Sequence, residues 1–450
     1  MPAGGGLLQL VAVGKQDAFL TGNPQISFFK MVYRHHTNFA IESQPMYFDG
    51  TPNFGQRITC LIPRRGDLLG KVYLDVTLPL VKDSSGNPLS YTNSVGHALI
   101  QEITFEVGEQ EIDRQTGEWM EIWTQFSTPP GQRDALNEMI GRIEPYNLIN
   151  LVPGSGNDGL RVLVPLQFYF CNNPGLALPL IALQYSPIRI NITLRPLQQL
   201  FWVAPPVPPP QDNSWMPACS VQVDCTTPIV NMMLWGDYVY LDVEERRLFV
   251  NSSHEYVIEQ VQYTPPYSLT PYQNTANVSV EFNHPIKEFF FVVQRDSMMN
   301  RNEWFNYSNL AIGEVTPTPL MPYLNSNAAA DRIDMISSAT LQLDGYDRFT
   351  ARDARHFRLE QPYVHHTTTP ASSYIYNYSF ALRPEDAQPT GTMNASRIDS
   401  IVWQIQMNAN LSSPLLPLWQ QRGACRIVIY GHNYNVFRII NGFGGLLFTI

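Results

Sequence analysis

Residues 203–213 read Val-Ala-Pro-Pro-Val-Pro-Pro-Pro-Gln-Asp-Asn, and this proline-rich stretch decides how the chain is divided. Proline has no amide proton and a fixed φ, so the run can extend neither a helix nor a central strand. We expect it to lie extended as a semi-rigid spacer. It leaves about 200 residues before it and a longer portion after it, near the upper end of common domain sizes. It therefore predicts two halves, and the alternative is a Pro-rich surface loop inside one domain.

The composition favours folded, β-rich halves. Of the 450 residues 44% are hydrophobic and 12% aromatic, and the 36 prolines and 28 glycines are spread along the chain, which suits short strands joined by turns. Only 15% of the residues are charged. With so few charged residues, much of the surface must be weakly charged, which is typical of a subunit that buries large faces against neighbours. The alternative is an ordinary neutral protein of the same composition. The net charge of −10 and the lack of a Lys/Arg run argue against direct nucleic-acid binding.

Apolar and polar residues alternate in short runs on both sides of the proline-rich stretch, and period-two alternation predicts half-buried strands. A hairpin turn is expected at Gly108-Glu109 and another at Asp344-Gly345. Helical segments are expected at residues 133–142 and 244–249. The order of elements is similar in both halves and predicts two sandwiches of about eight strands each. The strands are expected at residues 71–79, 98–113, 162–170, 177–183, 188–194, 238–242, 254–263, 285–294, 339–344, 374–382, 401–407, 426–430 and 435–440.

Three further segments are expected to be irregular or exposed. Residues 1–22 begin with glycines and continue with leucines and valines, which indicates a flexible arm with an apolar tip. A turn at residues 22–24 precedes an aromatic strand candidate at residues 26–33. The long connections 128–159 and 295–338 are candidates for functional surface loops.

Short motifs are spread in order along nearly the whole chain: residues 20–30 (Leu-Thr-Gly-Asn-Pro-Gln-Ile-Ser-Phe-Phe-Lys), Gly117-Glu-Trp119, Asp237-Tyr-Val239, Glu244-Glu-Arg246, His254-Glu255, Leu343-Asp-Gly345, Tyr378-Ser-Phe380, Gln388-Pro-Thr-Gly391 and Asn433-Tyr-Asn-Val436. Together they resemble the major capsid proteins of large nucleocytoplasmic DNA viruses, in the order in which that family carries them. Within the family, the chain resembles the iridovirus-like and marseillevirus-like members most.

The resemblance implies an all-β fold of two consecutive eight-stranded antiparallel jelly-roll sandwiches, a double jelly roll, with short helices in the loops. Residues 1–30 would form an N-terminal arm on the inner side of the capsid, and residues 31–202 the first jelly roll. Residues 203–213 would be the Pro-rich linker, and residues 214–450 the second jelly roll.

The function that the resemblance implies is structural rather than enzymatic. Three chains would form a homotrimer whose six barrels give a pseudo-hexagonal capsomer tiling an icosahedral virus shell. The implied partners are neighbouring capsomers, minor capsid proteins and, through the N-terminal arm, the internal viral membrane. The protein would belong to the virion, be assembled in the host cytoplasm and make no direct contact with nucleic acid.

No catalytic, cofactor-binding or metal-binding residues are predicted. His35-His36 and His365-His366 are pairs of adjacent histidines, which point to opposite faces of a strand, and neither pair has a third ligand at recognisable spacing. The five cysteines form no CxxC pattern, so reduced, buried thiols are expected, although Cys219 and Cys225 could meet locally.

The alternative function is a carbohydrate-binding or glycoside-cleaving β-sandwich protein. A glycosidase needs two carboxylates facing each other across a cleft, and aromatic rings can stack on sugars. A solvated hairpin face is far more common for such carboxylates, and such tryptophans are more often core or interface anchors. The candidate carboxylates are Glu102, Glu106, Glu109, Glu111 and Asp113, and the candidate stacking residues are Trp119, Trp123, Trp202 and Trp403.

Overall fold

The computed structural model describes residues 5–26, 28, 35–82, 89–143, 159–201, 227–309, 334–412 and 422–449. The proline-rich stretch at residues 203–213 lies outside this part of the chain. So do most of the strand predicted at residues 26–33 and much of the two long connections.

The N-terminal unit, residues 1–39, contains two short helices, α1 (Gly5–Val11) and α2 (Lys15–Thr21). Asp17 accepts a hydrogen bond from the backbone N–H of Gly14 at 2.8 Å, which closes the first turn of α2. The apolar side chains of this unit are exposed, with Leu10 75% and Phe19 87% accessible. The predicted apolar arm thus has helical segments, and its apolar side chains are not covered by its own fold.

Residues 40–450 form the second unit, which consists of two β-sandwiches. In the first, sheet I has the strand order β1-β9-β3-β6 with β7 paired to β3, and sheet II has the order β2-β8-β4-β5. The strands are β1 (Phe39–Met46), β2 (Arg57–Leu61), β3 (Leu68–Leu78), β4 (Ile100–Val107), β5 (Gln110–Thr116), β6 (Leu160–Pro165), β7 (Leu178–Pro179), β8 (Ile188–Leu194) and β9 (Asn231–Leu241). The helices are α3 (Val95–Leu99), α4 (Gly117–Ser127), α5 (Pro130–Ile140) and α6 (Tyr169–Asn172).

The second sandwich repeats this plan. Sheet III has the order β10-β20-β13-β17, with β11 and β21 paired to β20 and β18 to β13, and sheet IV has the order β12-β19-β14-β15, with β16 paired to β14. The strands are β10 (His254–Tyr263), β11 (Tyr267–Leu269), β12 (Thr275–Ser279), β13 (Pro285–Arg295), β14 (Ile336–Leu343), β15 (Tyr346–Asp347), β16 (Arg352–Asp353), β17 (Tyr376–Ser379), β18 (Met393–Asn394), β19 (Ile401–Met407), β20 (Cys425–Ile440) and β21 (Phe443–Leu446). The helices are α7 (Val243–Asn251), α8 (Asp296–Met299) and α9 (Gln361–His365), which follows a π-helical turn at His356–Glu360.

Each sandwich closes over an apolar core because one face of every long strand points inward. In the first sandwich Val72, Leu74 and Val76 of β3 meet Ile103 and Phe105 of β4 in one cluster. In the second, the inner residues of β13 and β20 in sheet III meet those of β14 and β19 in sheet IV. The strand alternation read from the sequence therefore marks the core-facing positions correctly.

Both predicted hairpins are confirmed. Val107 pairs with Gln110 across the turn at Gly108-Glu109. Leu343 pairs with Tyr346, and the intervening Asp344 and Gly345 have φ of 50° and 81°. Positive φ at both central positions is the backbone of a type I′ turn, in which Asp-Gly is strongly favoured. The helical segments predicted at residues 133–142 and 244–249 correspond to α5 and α7.

The prediction that the second jelly roll begins at residue 214 was wrong, because β9 belongs to the first sandwich. This strand follows the proline-rich stretch, yet it pairs antiparallel with β3 of sheet I, from Leu68 opposite Val239 to Thr77 opposite Asn231. The residues connecting β8 to β9, which include the proline-rich stretch, therefore join two strands of the same sandwich. The alternative of a Pro-rich loop inside one domain agrees with this pairing.

Other strand predictions also differ from the structure. The strand predicted at residues 177–183 is reduced to β7 (Leu178–Pro179), and residues 98–99 of the strand predicted at 98–113 belong to α3. Residues 169–172 form helix α6 rather than the end of a strand, because Phe168, Tyr169 and Phe170 are all buried and a half-exposed strand would bury only alternate residues. The strands predicted at residues 426–430 and 435–440 are one strand, β20. Its middle is polar but buried, with Asn433 opposite Gln260 of β10, so the alternation is interrupted while the strand continues.

Within the described part of the chain, every helix is too short or too polar to cross a membrane.

Candidate functional site

Helix α4 of the first sandwich connects the two sandwiches. It begins after Thr116, whose side chain accepts a hydrogen bond from the backbone N–H of Trp119 and so caps the first turn. Trp119, Ile122, Trp123 and Phe126 recur at helical spacing, and all four are buried. The helix therefore presents one aromatic face to the rest of the molecule.

The outer face of sheet III receives this helix, and we call the contact between them the joint. Along β13, Phe289 and Phe291 enter the core of the second sandwich, whereas Phe290 and Val292 cluster with α4. The ring centroids of Trp119 and Phe290 are 5.5 Å apart in an edge-to-face arrangement. Burying one such side chain stabilises the fold by roughly 1.5–3 kcal/mol. Residues 289–293 of the strand are all apolar because both of its faces are covered.

Six ionisable side chains lie beside the aromatic rings of the joint, and we call them the charged cluster. Glu288 is at its centre, with Oε2 2.9 Å from Nε2 of His366 and Oε1 3.2 Å from Nδ1 of His432. The Glu288 and His366 side chains are fully buried. The members are Glu259, Lys287, Glu288, His366, Glu385 and His432.

The remaining members extend the charged cluster to both sides of Glu288. Lys287 donates to Oε1 of Glu259 at 2.5 Å and to the carbonyl of Pro384 at 2.7 Å, and its side chain is fully buried. Nδ1 of His366 lies 2.9 Å from Oε1 of Glu385. The ring of Trp123 covers His432 with centroids 4.6 Å apart. The second sandwich thus supplies the charges, and α4 of the first supplies the apolar cover that keeps water away from them.

Burial and pairing act in opposite directions on the ionisation of the charged cluster. Burial by itself would lower the pKa of His366, but the carboxylates of Glu288 and Glu385 raise that pKa to about 9. Burial would raise the pKa of Glu259, but Lys287 and His432 lower it to about 2. Against the same effect of burial, His366 and His432 hold the pKa of Glu288 well below its ordinary value. The paired, charged forms are therefore the stable ones at neutral pH.

This arrangement is suited to holding elements together. The members of the charged cluster come from β10, β13, β20 and the segments that follow α9 and β17, so their pairing fixes five parts of the second sandwich at one point. Among the described residues, no group of three or more His, Cys, Asp or Glu side chains is arranged to hold a metal ion.

A second set of buried charges anchors α4 within the first sandwich. Glu121 of α4 is 2.6 Å from NH2 of Arg142 and 2.7 Å from Nδ1 of His97, and Gln125 donates to it at 2.9 Å. Burial lowers the pKa of His97, so its ring is neutral at neutral pH. The pKa of Glu121 is held low by Arg142 and His97 although burial alone would raise it. Helix α4 is thus fixed to α3 and to the end of α5 on one side and to sheet III on the other.

A third contact between the sandwiches lies where β5 meets β10. Asp113 accepts hydrogen bonds from the backbone N–H of Val261 at 3.2 Å and from Nε2 of Gln115 at 2.7 Å. Gln260 donates its side-chain amide to the carbonyl of Ile112. Burial raises the pKa of Asp113 to about 7, against the opposing effect of these hydrogen bonds. The group therefore changes its charge near neutral pH inside a contact between the sandwiches.

The histidine pairs separate in the structure. His35 and His36 are exposed in the N-terminal unit. Of the second pair, His366 belongs to the charged cluster, whereas Nδ1 of His365 lies 3.0 Å from the carbonyl of Leu382. The two rings of the second pair have different neighbours.

The hairpin carboxylates mostly face arginines. Glu111 binds Arg114 in two hydrogen bonds of 2.8 Å, and Glu102 lies 3.6 Å from the same guanidinium. Glu106 faces Arg57 at 3.6 Å, Glu109 is exposed at the turn, and Asp113 is buried as described above. The arrangement is that of a paired hairpin surface with one buried aspartate.

The cysteines and the candidate stacking tryptophans among the described residues are buried. Trp119 and Trp123 stack on each other at 5.8 Å in the joint, and Trp403 lies in the core of the second sandwich. Their faces are used for packing, so they offer no platform for a sugar. Cys60, Cys171 and Cys425 are free, buried thiols, and burial raises the pKa of each. Trp202, Cys219 and Cys225 lie outside the described residues.

Sequence reasoning missed the charged cluster, although one signal for it was present. Lys287 and Glu288 interrupt the apolar strand 285–294 at adjacent positions, where the pairing of β13 with β20 is irregular. Adjacent charges in a strand buried on both faces require buried partners, since an unpaired charge inside a protein is costly. The partners come from residues 259, 366, 385 and 432, and no local spacing in the sequence connects these positions.

Comparison with known proteins decides the family. Residues 27–242 match the family described as "Major capsid protein N-terminus", and residues 245–445 match "Large eukaryotic DNA virus major capsid protein". The chain belongs to the major capsid proteins of large eukaryotic DNA viruses. The two matched regions meet between β9 and α7, in agreement with the pairing of β9 in sheet I.

Individual relatives agree along the full length. The major capsid protein of Pyramimonas orientalis virus is 36% identical over 99% of this chain and 100% of its own. A chain of the PBCV-1 virus capsid superposes with a TM-score of 0.73 at 30% identity, covering 94% of this chain and 100% of its own. The major capsid protein of Rana tigrina ranavirus is 26% identical over 87% of this chain. In sequence the chain is thus nearer to the Pyramimonas orientalis virus protein than to the ranavirus one.

The family match makes the protein a component of the virion capsid, and the structural likeness makes its fold the double jelly roll.

Proposed function

We propose that three copies of this chain form a homotrimer whose six jelly rolls give a pseudo-hexagonal capsomer, and that capsomers tile an icosahedral shell. The observation that carries the proposal is the full-length likeness to a chain of the PBCV-1 virus capsid, at 30% identity and a TM-score of 0.73. A chain with two similar sandwiches contributes two of the six sides of such a capsomer. The protein acts by contact rather than by catalysis.

The joint supports this role physically. A ring of six sandwiches keeps its outline only if the two sandwiches of each chain keep a fixed mutual orientation. The aromatic face of α4, the charged cluster and the contact at Asp113 hold that orientation at separate points. Close-packed aromatic contacts resist deformation because interiors are packed at crystal-like density.

Exposed apolar side chains support contacts with other copies. Near the end of α9, Tyr363 and Val364 are 81% and 63% accessible, and the nearby Leu382 is 72% accessible. Tyr346, at the β14–β15 hairpin, is 80% accessible. Apolar groups of this size are stabilised when another surface covers them. We assign these residues to contacts within or between capsomers.

The strand pairing supports a revised domain division. We propose an N-terminal arm at residues 1–30, a first jelly roll at residues 31–242 and a second at residues 243–450. The proline-rich stretch 203–213 then belongs to the connection between β8 and β9.

The further partners are assigned to the arm. We infer that the arm lies on the inner side of the shell, where minor capsid proteins and the internal viral membrane cover its exposed Leu10, Val11 and Phe19. The acidic net charge of −10 supports a shell that makes no direct contact with nucleic acid. Assembly takes place in the host cytoplasm.

Light scattering and negative-stain imaging of the purified chain test the proposal. The expected results are a trimeric mass and particles with a pseudo-hexagonal outline. A chain that stays monomeric at all concentrations and gives no hexagonal particles would contradict it.

A further inference from the structure

A cavity of about 660 Å³ lies between the two sandwiches. Its floor is the outer face of sheet III, with Gln294, Val428 and Tyr430, and Glu118 and Arg195 of the first sandwich form part of the opposite wall. Ligand sites in proteins have volumes of about 300–1,000 Å³. The cavity is therefore large enough for several residues of a peptide.

Arg426 gives the cavity its charge. It precedes Val428 by two residues on β20 and so lies on the same face of the strand, opposite Gln294 of β13. Its Nε is buried, and within the described part of the chain the guanidinium has neither an acceptor for Nε nor an ion-pair partner. A guanidinium is charged at every physiological pH, and a buried donor without an acceptor costs about 1–3 kcal/mol or more. Arg426 is thus a cation that a ligand can satisfy.

The other charged groups of the lining each have a partner among the described residues. Glu118 is 2.5 Å from NH2 of Arg195, and that guanidinium stacks over the ring of Trp304 at 3.9 Å. Glu102 accepts a hydrogen bond from the hydroxyl of Tyr263 and faces Arg114 from outside the cavity. The lining thus holds two carboxylates and two guanidinium groups, and Arg426 is the one of these four that has no ion-pair partner among the described residues, which suits one added carboxylate.

The rest of the rim suits a polypeptide backbone. Gln101, Gln199 and Asn300 line the cavity with exposed side chains, and each amide can donate and accept hydrogen bonds. A nucleic-acid strand with a charge on every phosphate would require several free cations.

We propose that this cavity binds an acidic segment of another protein chain, with one Glu or Asp carboxylate on Arg426 and the segment's backbone on the rim amides. The donor is a neighbouring chain of the shell, and this assignment rests on the proposed capsid function. Bidentate pairing of a carboxylate with arginine gives such a contact its selectivity, because two parallel hydrogen bonds form only with a planar acceptor.

The test uses the full-length purified chain and two blocked tripeptides, acetyl-Gly-Glu-Gly-amide and acetyl-Gly-Gln-Gly-amide, in saturation-transfer NMR titrations. The Glu peptide is expected to bind at least about 10-fold more tightly than the Gln peptide, in the millimolar range. Arg426→Gln should abolish the preference for the Glu peptide. Arg426→Lys should retain only part of it, because an ammonium group cannot form two parallel hydrogen bonds to one carboxylate as a guanidinium does. Arg383→Gln removes an exposed arginine paired only with Asp386 outside the cavity, and it should keep the full preference.

Equal binding of the two peptides, no detectable binding of the Glu peptide, or a preference that survives Arg426→Gln would overturn the proposal. Circular dichroism and the thermal midpoint of each variant show whether it is folded. The mass of the chain in light scattering is a separate reading. If the chain is monomeric but still prefers the Glu peptide, the cavity binds a carboxylate and the proposed capsomer is wrong. If the chain is trimeric but shows no such preference, the proposed capsomer stands and the cavity proposal is wrong.

Discussion

Gly117, the first residue of α4, determines how closely that helix approaches α3. A Cβ atom added here would lie 2.2 Å from the carbonyl oxygen of His97 and 2.3 Å from that of Ile100. Both are backbone atoms of a fully buried segment and cannot move aside. The glycine of the Gly117-Glu-Trp119 motif is therefore a requirement of packing at the base of the joint.

Replacing Gly117 by alanine should lower the free energy of unfolding by about 3 kcal/mol or more, because the backbone would have to separate. Gly131 in α5 is the matched control, since its Cβ would meet nothing within 4 Å. Gly131→Ala should be neutral or stabilise by about 0.5–1 kcal/mol through helix propensity. Urea unfolding of the two variants beside the wild type makes the comparison, and equal effects would refute the packing explanation.

Asp113 should make the stability fall as the pH rises from ~4 to ~7. Its pKa is about 7 in the folded protein and about 3.9 in an unfolded chain, so the folded state holds the proton more tightly. The stabilisation is complete below pH ~4 and is lost as the pH rises to ~7, with an upper bound of about 4 kcal/mol. Asp113→Asn should remove this fall. Unfolding free energies between pH ~4 and ~8, in steps of ~0.5, measure it.

The control for Asp113 is Glu111→Gln on the same hairpin, where the carboxylate is 39% exposed. An exposed ion pair contributes about 0–1 kcal/mol, so this variant should keep the wild-type pH dependence. If Asp113→Asn retains the fall between pH ~4 and ~7, the buried aspartate is not its source.

His366 should act at higher pH. Its folded pKa of about 9 lies above the ordinary value of about 6.5, so its contribution is complete below pH ~6.5 and disappears as the pH rises through ~9. The amplitude is on the order of 3 kcal/mol at most. His366→Gln should flatten the stability curve in this range, and His365→Gln, which leaves the charged cluster intact, should not. Thermal midpoints recorded at successive pH values distinguish them, and a flattened curve in both variants would contradict the assignment.

Among the elements, the strands whose alternation is simple were predicted well and the others were not. β3, β8 and β19 each have one face in a core, and period two reveals such strands. β20 was divided because its buried polar residues Asn433 and His432 interrupt that period, and their partners come from β10 and β13. A single sequence shows that a residue is polar, but it does not show whether a distant strand supplies a partner.

The contacts of α4 could also be predicted only in part from the sequence. The Gly117-Glu-Trp119 motif and the anchor reading of Trp119 and Trp123 were available from the sequence. The sequence does not show that these rings cover sheet III of the second sandwich, because the aromatic side chains that they contact are more than 150 positions away along the chain. Contacts of such sequence separation leave no local pattern.

Helix α4 should couple the unfolding of the two sandwiches. Trp119→Ala removes the ring at the centre of the joint and should cost about 3–5 kcal/mol. Since the loss falls on the contact between the sandwiches, calorimetry should show two transitions where the wild type shows one. Trp403→Ala removes a ring of the same size from the core of the second sandwich and should lower a single, still shared transition. One shared transition in Trp119→Ala would mean that the joint does not carry the coupling.

At the scale of the whole molecule, the largest error of sequence reasoning concerned the proline-rich stretch. Its composition indicates an extended connection, and that inference says nothing about which elements it connects. The pairing of β9 with β3 shows which elements it connects, because Met232, Leu234 and Tyr238 of β9 bury their side chains in the first sandwich. Strand pairing shows which elements belong to one sandwich, whereas proline is favoured in turns and loops wherever they occur in a fold.

The N-terminal arm, by contrast, should be dispensable for the stability of the rest. The apolar side chains of α1 and α2 from Leu7 onward are exposed and therefore contribute no core. Deleting residues 1–26 should leave the thermal midpoint and the mass in solution unchanged. Deleting residues 443–450 at the other end is the matched control. It removes β21, which pairs with β20, together with the carbonyl of Phe448 that accepts from Asn435 at 3.0 Å, and it should lower the midpoint. Scanning calorimetry and light scattering report both quantities. If the arm deletion lowers the midpoint as much as the C-terminal deletion does, the arm packs on the sandwiches of its own chain. The proposal that its apolar residues contact other partners would then have to be abandoned.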